Sequence, residues 1–121
     1  MSSLPLSRDI IPAEVDTYSL DEVANRLGVS TNRVRTLIRD HRLLAISRGG
    51  QPAVPCLFFD DLGIAKHFTG LVAVLIDGGF THDEAIRWLF TVHDDLGMYP
   101  AKALHTHSAR EVIRRAQAQA F

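Results

Sequence analysis

The sequence predicts a mainly α fold, in which two short helices meet at a tight turn, a short β-hairpin follows, and the rest is helical. Capping signals before periodic apolar residues predict the helices, and a Gly-Gly pair between two apolar runs predicts the hairpin. With 121 residues, 46% of them hydrophobic and 22% charged, the chain fits one domain or two small ones packed together. It is too short for a barrel enzyme or a full dinucleotide-binding fold.

These patterns divide the chain into three segments. Residues 1–16 contain several serines and prolines without a sustained period, and they are predicted to form a flexible N-terminal arm whose last apolar residues contact the core. Residues 17–62 are predicted to form the helix–turn–helix and hairpin unit. Residues 63–121 are predicted to form a helical C-terminal domain.

The first helix is predicted over residues 20–27. Ser19 and Glu22 occupy the positions of a capping box, in which the serine oxygen accepts from the Glu22 N–H and the glutamate reaches back. Gly28 ends the helix in the left-handed conformation that favours glycine.

A second helix follows at once, with Ser30 as its N-cap. Val34, Leu37 and Ile38 lie at the spacing of one inward face. The outward face and its flank carry polar and basic residues: Asn32, Arg33, Arg35, Thr36 and Arg39. Two short helices joined in this way have the layout of a helix-turn-helix, whose second helix enters the DNA major groove.

Two apolar runs around Gly49-Gly50 predict the hairpin. Because proline donates no backbone hydrogen bond, Pro52 and Pro55 predict that the second strand is an edge, short or bulged. A short hairpin directly after a helix-turn-helix is a wing, and Arg48 is predicted to lie at its tip.

The second half is predicted to contain four helical segments: 65–77, one from residue 82, 100–104 and 109–120. The second and fourth of these begin with capping boxes, Thr81 to Glu84 and Ser108 to Glu111. Pro100 suits the first turn of the third segment.

Basic charge is concentrated in the first half, although the formal net charge of the chain is −1. Between residues 26 and 48 there are six arginines and a single acid, Asp40, which gives this segment +5 and leaves −6 for the rest. Such a block is a candidate anion-binding surface.

The stretch from Tyr18 to Arg39 resembles MerR-type and excisionase-type winged helix-turn-helix domains, and the match extends over about residues 18–62. The residues that carry it are Ala24, Gly28, Val29, Val34 and Leu37. Residues 67–121 contain Gly70-Leu-Val, Asp77-Gly-Gly-Phe, Glu84-Ala-Ile-Arg-Trp-Leu-Phe and Arg114-Arg-Ala-Gln-Ala. They resemble the C-terminal domain of a small actinobacterial family, the winged-helix DNA-binding proteins related to the mycobacterial Rv2175c protein. The resemblance implies DNA binding through the N-terminal half and assigns no chemistry to the C-terminal domain.

The chain departs from MerR regulators in two respects. Its 121 residues leave no room for their long coiled-coil dimerisation helix, and their effector-binding domain is missing. Both departures argue against ligand-sensing activation of transcription.

The sequence therefore predicts a cofactor-free transcriptional regulator that binds double-stranded DNA, with residues 31–39 in the major groove and the wing on the backbone or minor groove. Arg35 or Arg39 suits a guanine edge, and Asn32 suits adenine. Thr31, Arg33 and Thr36 suit phosphates. The predicted wing contacts are Arg48, Gly49 and Gly50.

Other chemistries receive little support from the residues. Zinc needs three or four ligands, whereas His105 and His107 would face apart on a helix and the other histidines of the second half stand alone. Asp60-Asp61 and Asp94-Asp95 are interpreted as turn and cap residues, and no metal site or enzymatic activity is expected. Because Cys56 is the only cysteine, an intramolecular disulfide is excluded, and Cys56 is interpreted as buried and inert. No secretory signal or membrane span is visible, so a cytoplasmic, nucleoid-associated protein is expected.

An alternative function rests on the C-terminal helices. Trp88 is interpreted as a core residue, but tryptophan is also enriched at interface anchors. Residues 84–118 weakly resemble the toxin-binding region of some antitoxins, so a homodimer or a protein partner bound through these helices is the alternative. A phosphate on the serines near the N-terminus would oppose DNA binding electrostatically, which is a hypothesis about the arm.

Overall fold

The computed structural model describes residues 4–120, and the side chains up to residue 119. Its helices are α1 (Leu20–Leu27), α2 (Thr31–Arg39), α3 (Phe68–Asp77), α4 (His82–Leu89), α5 (Pro100–Ala103) and α6 (Ala109–Ala120). Its strands are β1 (Leu6–Ser7), β2 (Thr17–Ser19), β3 (Ala45–Arg48), β4 (Gln51–Pro55), β5 (Phe59–Asp60) and β6 (Gly63–Ile64). A short 3₁₀ helix, Cys56–Phe58, joins β4 to β5. Helices outweigh strands, in keeping with the predicted class.

The two predicted N-terminal helices are confirmed together with their caps. Ser19 Oγ accepts from the Glu22 N–H at 3.2 Å, and the Glu22 carboxylate accepts from the Ser19 N–H at 2.9 Å. Gly28 ends α1 at φ 69°, a left-handed conformation that a β-carbon would strain. Ser30 Oγ accepts from the Arg33 N–H at 3.1 Å, and α2 begins at the next residue.

The hairpin lies inside a four-stranded sheet of order β1-β3-β4-β2. Of the predicted alternatives for β4, an edge, short or bulged strand, the edge position is wrong, and β4 is an internal strand of 5 residues. Its two prolines are tolerated because each pairs on one side only. Pro52 pairs with Ser47 of β3, beyond the end of β2 opposite Ala53. Pro55 pairs with Thr17 of β2, beyond the β3 register. At each proline only one neighbouring strand is paired, so the missing N–H donor is not needed on the other side.

The N-terminal arm contains a short strand that the sequence pattern did not predict. Leu6–Ser7 forms β1, which pairs in parallel with β3, and Ser7 is only 1% exposed. Val15 is buried, as the predicted contact of the arm with the core requires. Ser2 and Ser3, two of the serines in the phosphorylation hypothesis, lie outside the described residues, whereas burial shields Ser7.

The C-terminal helices pack against one another, α3 on α6 and α4, and α5 on α4 and α6. The capping box at Thr81 and Glu84 is confirmed, with bonds of 3.1 and 2.9 Å. Two details differ from prediction. Helix α3 begins at Phe68 and not at Ala65, because His67 adopts φ 73° at its N-cap. The Ser108 N–H donates to Thr106 Oγ1, while the Glu111 carboxylate binds Arg114 and Arg115 instead of reaching back.

A continuous core joins the two halves of the chain. Phe58, which is fully buried, stacks on Phe68 with ring centroids 4.2 Å apart and lies 5.8 Å from Phe90. The domain boundary at residues 62/63 stays a prediction, since this aromatic cluster spans it. None of the helices within residues 4–120 has both the length and the apolar character to cross a bilayer.

Candidate nucleic-acid interface

Helix α2 presents the predicted polar face outward. Asn32, Arg33 and Arg39 are exposed, and Thr31, Arg35 and Thr36 are half-buried. Val34 and Ile38, on the opposite face, are buried in the core. The helix is therefore fixed from behind, while its basic side chains remain directed away from the core.

The arginines of α2 differ from the other arginines in their partners. Within residues 4–120, the salt bridges involve Arg8, Arg48, Arg114 and Arg115, and none involves an arginine of α2. The positive charge on α2 is thus not neutralised by an intramolecular carboxylate, as a surface that binds an anionic polymer requires.

Helix α2 and the wing line one cleft. Its lining includes Thr31 and Arg35 of α2, Gln51 and Pro52 of β4, and Asp21 of α1. The Thr31 hydroxyl donates to Asp21 Oδ1 at 3.0 Å, which ties the starts of the two helices together. Gln51 is exposed and was not among the predicted site residues. Its position next to the Gly-Gly turn is the sequence signal that identifies it.

The turn of the wing requires both of its glycines. Gly49 and Gly50 have φ values of 61° and 77°, which match the two-residue turn that follows the twist of a hairpin. The space where their β-carbons would lie is open, so backbone conformation rather than crowding disfavours most other residues. Both glycines are exposed, as approach to a nucleic-acid backbone requires.

Arg48 faces the N-terminal arm instead of the surrounding solvent. Its guanidinium donates to both carboxylate oxygens of Asp9 at 2.9 and 3.1 Å, and to the carbonyls of Val15 at 2.7 Å and Pro12 at 3.4 Å. Its side chain is 26% exposed, and its hydrogen bond lowers the pKa of Asp9. Arg48 thus holds the arm to the sheet, and contact of Arg48 with DNA stays a prediction that the observed geometry does not favour.

The other two arginines of the basic block, Arg26 and Arg42, differ in their contacts. Arg26 lies over the Tyr18 ring, 5.5 Å from its centroid, and donates to the Asp60 carbonyl at 2.9 Å. Arg42 is exposed beyond the end of α2. A charge count along the sequence therefore overstates the basic surface, because the charge of Arg48 is paired with Asp9. Arg26 is exposed and keeps its charge, since its contacts are a carbonyl and a ring.

The structure brings together two histidines, His41 and His82, that no sequence pattern paired. His41 Nδ1 and His82 Nε2 are 3.0 Å from each other, at the end of α2 and the start of α4. His105 Nε2 donates to the Leu57 carbonyl at 2.6 Å. Within residues 4–120, no three His, Cys, Asp or Glu side chains are grouped as a metal ion would need. Burial raises the pKa of the Cys56 thiol.

Trp88 is half-buried, so the core interpretation holds for only part of its ring. It packs against the core and also lines an open cleft with Phe80, Thr91 and Gln119. The protein-interaction alternative stays a prediction.

Comparisons with known proteins extend over both halves of the chain. A family model described as "DNA-binding protein Rv2175c, wHTH domain" matches residues 3–59, and another described as "Rv2175c C-terminal domain of unknown function" matches residues 65–120. The "DNA-binding protein Rv2175c" of Mycobacterium tuberculosis (strain ATCC 25618 / H37Rv) is 37% identical, over 100% of this chain and 92% of that protein. The NMR structure of Rv2175c matches with a TM-score of 0.88 at 37% identity, covering 99% of this chain and 91% of the other.

Proposed function

Because the chain belongs to the Rv2175c family of winged helix-turn-helix proteins, we propose that it binds double-stranded DNA and acts as a small transcriptional regulator at the nucleoid. The single observation that carries the proposal is the outward face of α2, whose arginines have no acidic partner among the described residues and lie beside the wing. A helix of this kind, supported by a buried apolar face, fits the major groove.

The residues of this face divide by reach and chemistry. Arg35 and Arg39 offer paired donors that match the two acceptors of a guanine edge, and Asn32 matches adenine. Thr31, Arg33 and Thr36 are assigned to phosphates near the start and flank of α2. The Thr36 hydroxyl donates to the Asn32 carbonyl at 3.1 Å, which leaves its oxygen as an acceptor only. The Thr31 hydroxyl likewise donates to Asp21 Oδ1. Both threonines must therefore turn outward before they can donate to a phosphate.

The wing approaches DNA through Gly49, Gly50 and Gln51. The two glycines allow close approach of the backbone, and Gln51 lines the same cleft as Arg35. A single module with few base contacts has modest specificity, so the protein gains specificity if two copies bind adjacent half-sites.

The experiment that tests the proposal is titration of a duplex DNA pool with the full chain across a salt series. If arginines of α2 neutralise phosphates, log affinity falls linearly with log salt, by about 0.9 for each phosphate. A slope equivalent to several phosphates is the expected result. Absent binding, or binding that does not respond to salt, would refute the proposal.

Arg48 and Gln51 of the wing are expected to respond differently to alanine substitution. Arg48→Ala removes one of the contacts that hold the arm, so the free energy of unfolding falls by about 1 kcal/mol, a figure reduced for the partial exposure of the pair. The salt slope of DNA binding stays that of the parent protein. Gln51→Ala leaves unfolding unchanged within about 0.5 kcal/mol and weakens duplex binding, because only a surface amide is removed.

Urea denaturation and duplex titration of both variants check this pair of predictions. Arg42→Ala serves as the control for Arg48→Ala, since it removes an exposed arginine without a salt bridge in the described part of the chain. If Arg48→Ala instead left stability unchanged and reduced the salt slope, Arg48 would be assigned to the DNA-binding surface.

A further inference from the structure

Two imidazoles form a direct link between the proposed recognition helix and the C-terminal helices. His41 follows α2 in a left-handed conformation, φ 60°, and His82 is the first residue of α4. Their rings meet edge to face with centroids 4.9 Å apart, and His41 Nδ1 lies 3.0 Å from His82 Nε2. Both residues are half-buried. This separation is that of one hydrogen bond, with one nitrogen as donor and the other as acceptor.

The bond depends on the number of protons that the pair holds. A neutral imidazole has one donor and one acceptor, so two neutral rings satisfy each other, and a ring with a second proton still donates to a neutral neighbour. When both rings are protonated, both facing nitrogens are donors and two positive charges stand side by side. Burial is the main cause that lowers the pKa of His82, and the charge of the neighbouring His41 is the second. Only this second cause is the penalty for protonating both rings.

The surrounding charges come from four parts of the fold. Asp40 and Arg42 flank His41, and these three residues line a cleft together with Asp77 of α3. Asp83 follows His82 and accepts from the backbone N–H and Nε of Arg8, both at 2.9 Å. The start of α4 therefore holds the arm through Asp83 and the end of α2 through His82.

We propose that the His41–His82 pair is a proton-operated latch, which joins the end of α2 to the start of α4 while at most one additional proton is bound and opens when both rings are protonated. The sign of its pH dependence follows from His82. Its pKa in the folded protein is lower than in the unfolded chain, where it is about 6.5, so the unfolded state takes up a proton first. The latch and the burial of His82 together make a contribution to stability that is present above about pH 6.5 and is lost as the pH falls toward the lowered pKa.

The test compares the full chain with the double variant His41→Asn/His82→Gln. Each amide places a polar atom near the ring nitrogen that it replaces, and asparagine tolerates the left-handed backbone of residue 41. The variant keeps a hydrogen-bonding pair without a titrating group, and it keeps Asp40, Arg42, Asp77, Asp83 and Arg8. His107→Gln, at an exposed histidine, is the control.

Urea midpoints are measured between pH 7.5 and 5.0 without DNA, with amide NMR spectra in parallel and EDTA present. On acidification, the urea concentration at the unfolding midpoint is expected to fall further in the parent protein and the control than in the double variant. Amide signals of residues 40–43 and 81–84 are expected to shift with a common midpoint in the parent and to stop doing so in the double variant.

Three results would overturn the latch. The double variant retains the pH dependence of the parent, the two groups of amides titrate independently, or the pH dependence appears only when EDTA is replaced by zinc. The last of these would identify a metal-binding pair instead. Since no step uses DNA, these outcomes are independent of the proposed function.

Discussion

The variant Arg35→Ala/Arg39→Ala is expected to bind duplex DNA at least about thirtyfold more weakly than the parent protein at moderate salt. Each arginine that meets a base edge or a phosphate contributes about 1 kcal/mol or more, and every 1.4 kcal/mol is a factor of ten in affinity. The salt slope is expected to become shallower if either residue binds phosphate, by about 0.9 for each phosphate that is no longer neutralised. The fold should be retained, because Val34 and Ile38 hold α2 in the core and alanine is a strong helix former.

The control must remove the same charge elsewhere on the protein. Arg87→Ala/Arg110→Ala takes two positive charges from exposed positions on α4 and α6. It is expected to bind within about threefold of the parent protein, since only screened long-range attraction is removed. If both double variants lose affinity equally, net charge rather than the α2 surface determines binding, and the assignment of the interface fails.

The parts of the fold that the sequence predicted correctly are determined locally. Ser19 and Glu22 cap α1 from three residues apart, and Gly28 ends the helix by its own backbone preference. The outward face of α2 also follows from periodicity within nine residues. For the same reason, the candidate site on α2 was accessible from the sequence.

The parts that were missed depend on contacts between distant residues. Arg48 and Asp9 are 39 residues apart, and His41 and His82 are 41 apart, so no local pattern pairs them. A charge pattern reports that an arginine is present but not whether a carboxylate will reach it. The internal position of β4 was missed because it depends on where β2 and β3 end, which the two prolines do not reveal.

The variant Phe58→Ala is expected to lower the free energy of unfolding by about 3–5 kcal/mol, a large share of the roughly 5–15 kcal/mol typical of a domain. Phe58 lies in the 3₁₀ helix after the wing, is fully buried, and contacts the rings of Phe68 and Phe90 from the C-terminal half. Its removal leaves a cavity between the two halves, which these rings cannot fill without leaving their own packing. The urea midpoint should fall by about 2 M for an ordinary dependence on denaturant.

The form of the transition distinguishes a shared core from two separate domains. Trp88 fluorescence reports on the C-terminal half, and far-ultraviolet circular dichroism reports on all helices. If the core is shared, both signals shift to the same lower midpoint in Phe58→Ala, although Trp88 lies in the other half of the chain. Leu62→Ala is the matched control, because that side chain is 99% exposed and its removal should cost less than about 0.5 kcal/mol.

A Trp88 transition that stays at the parent midpoint while the dichroism signal shifts would show that the C-terminal helices fold independently. In that case the aromatic cluster would be a contact between two domains, and the winged helix-turn-helix could be destabilised without unfolding its neighbour.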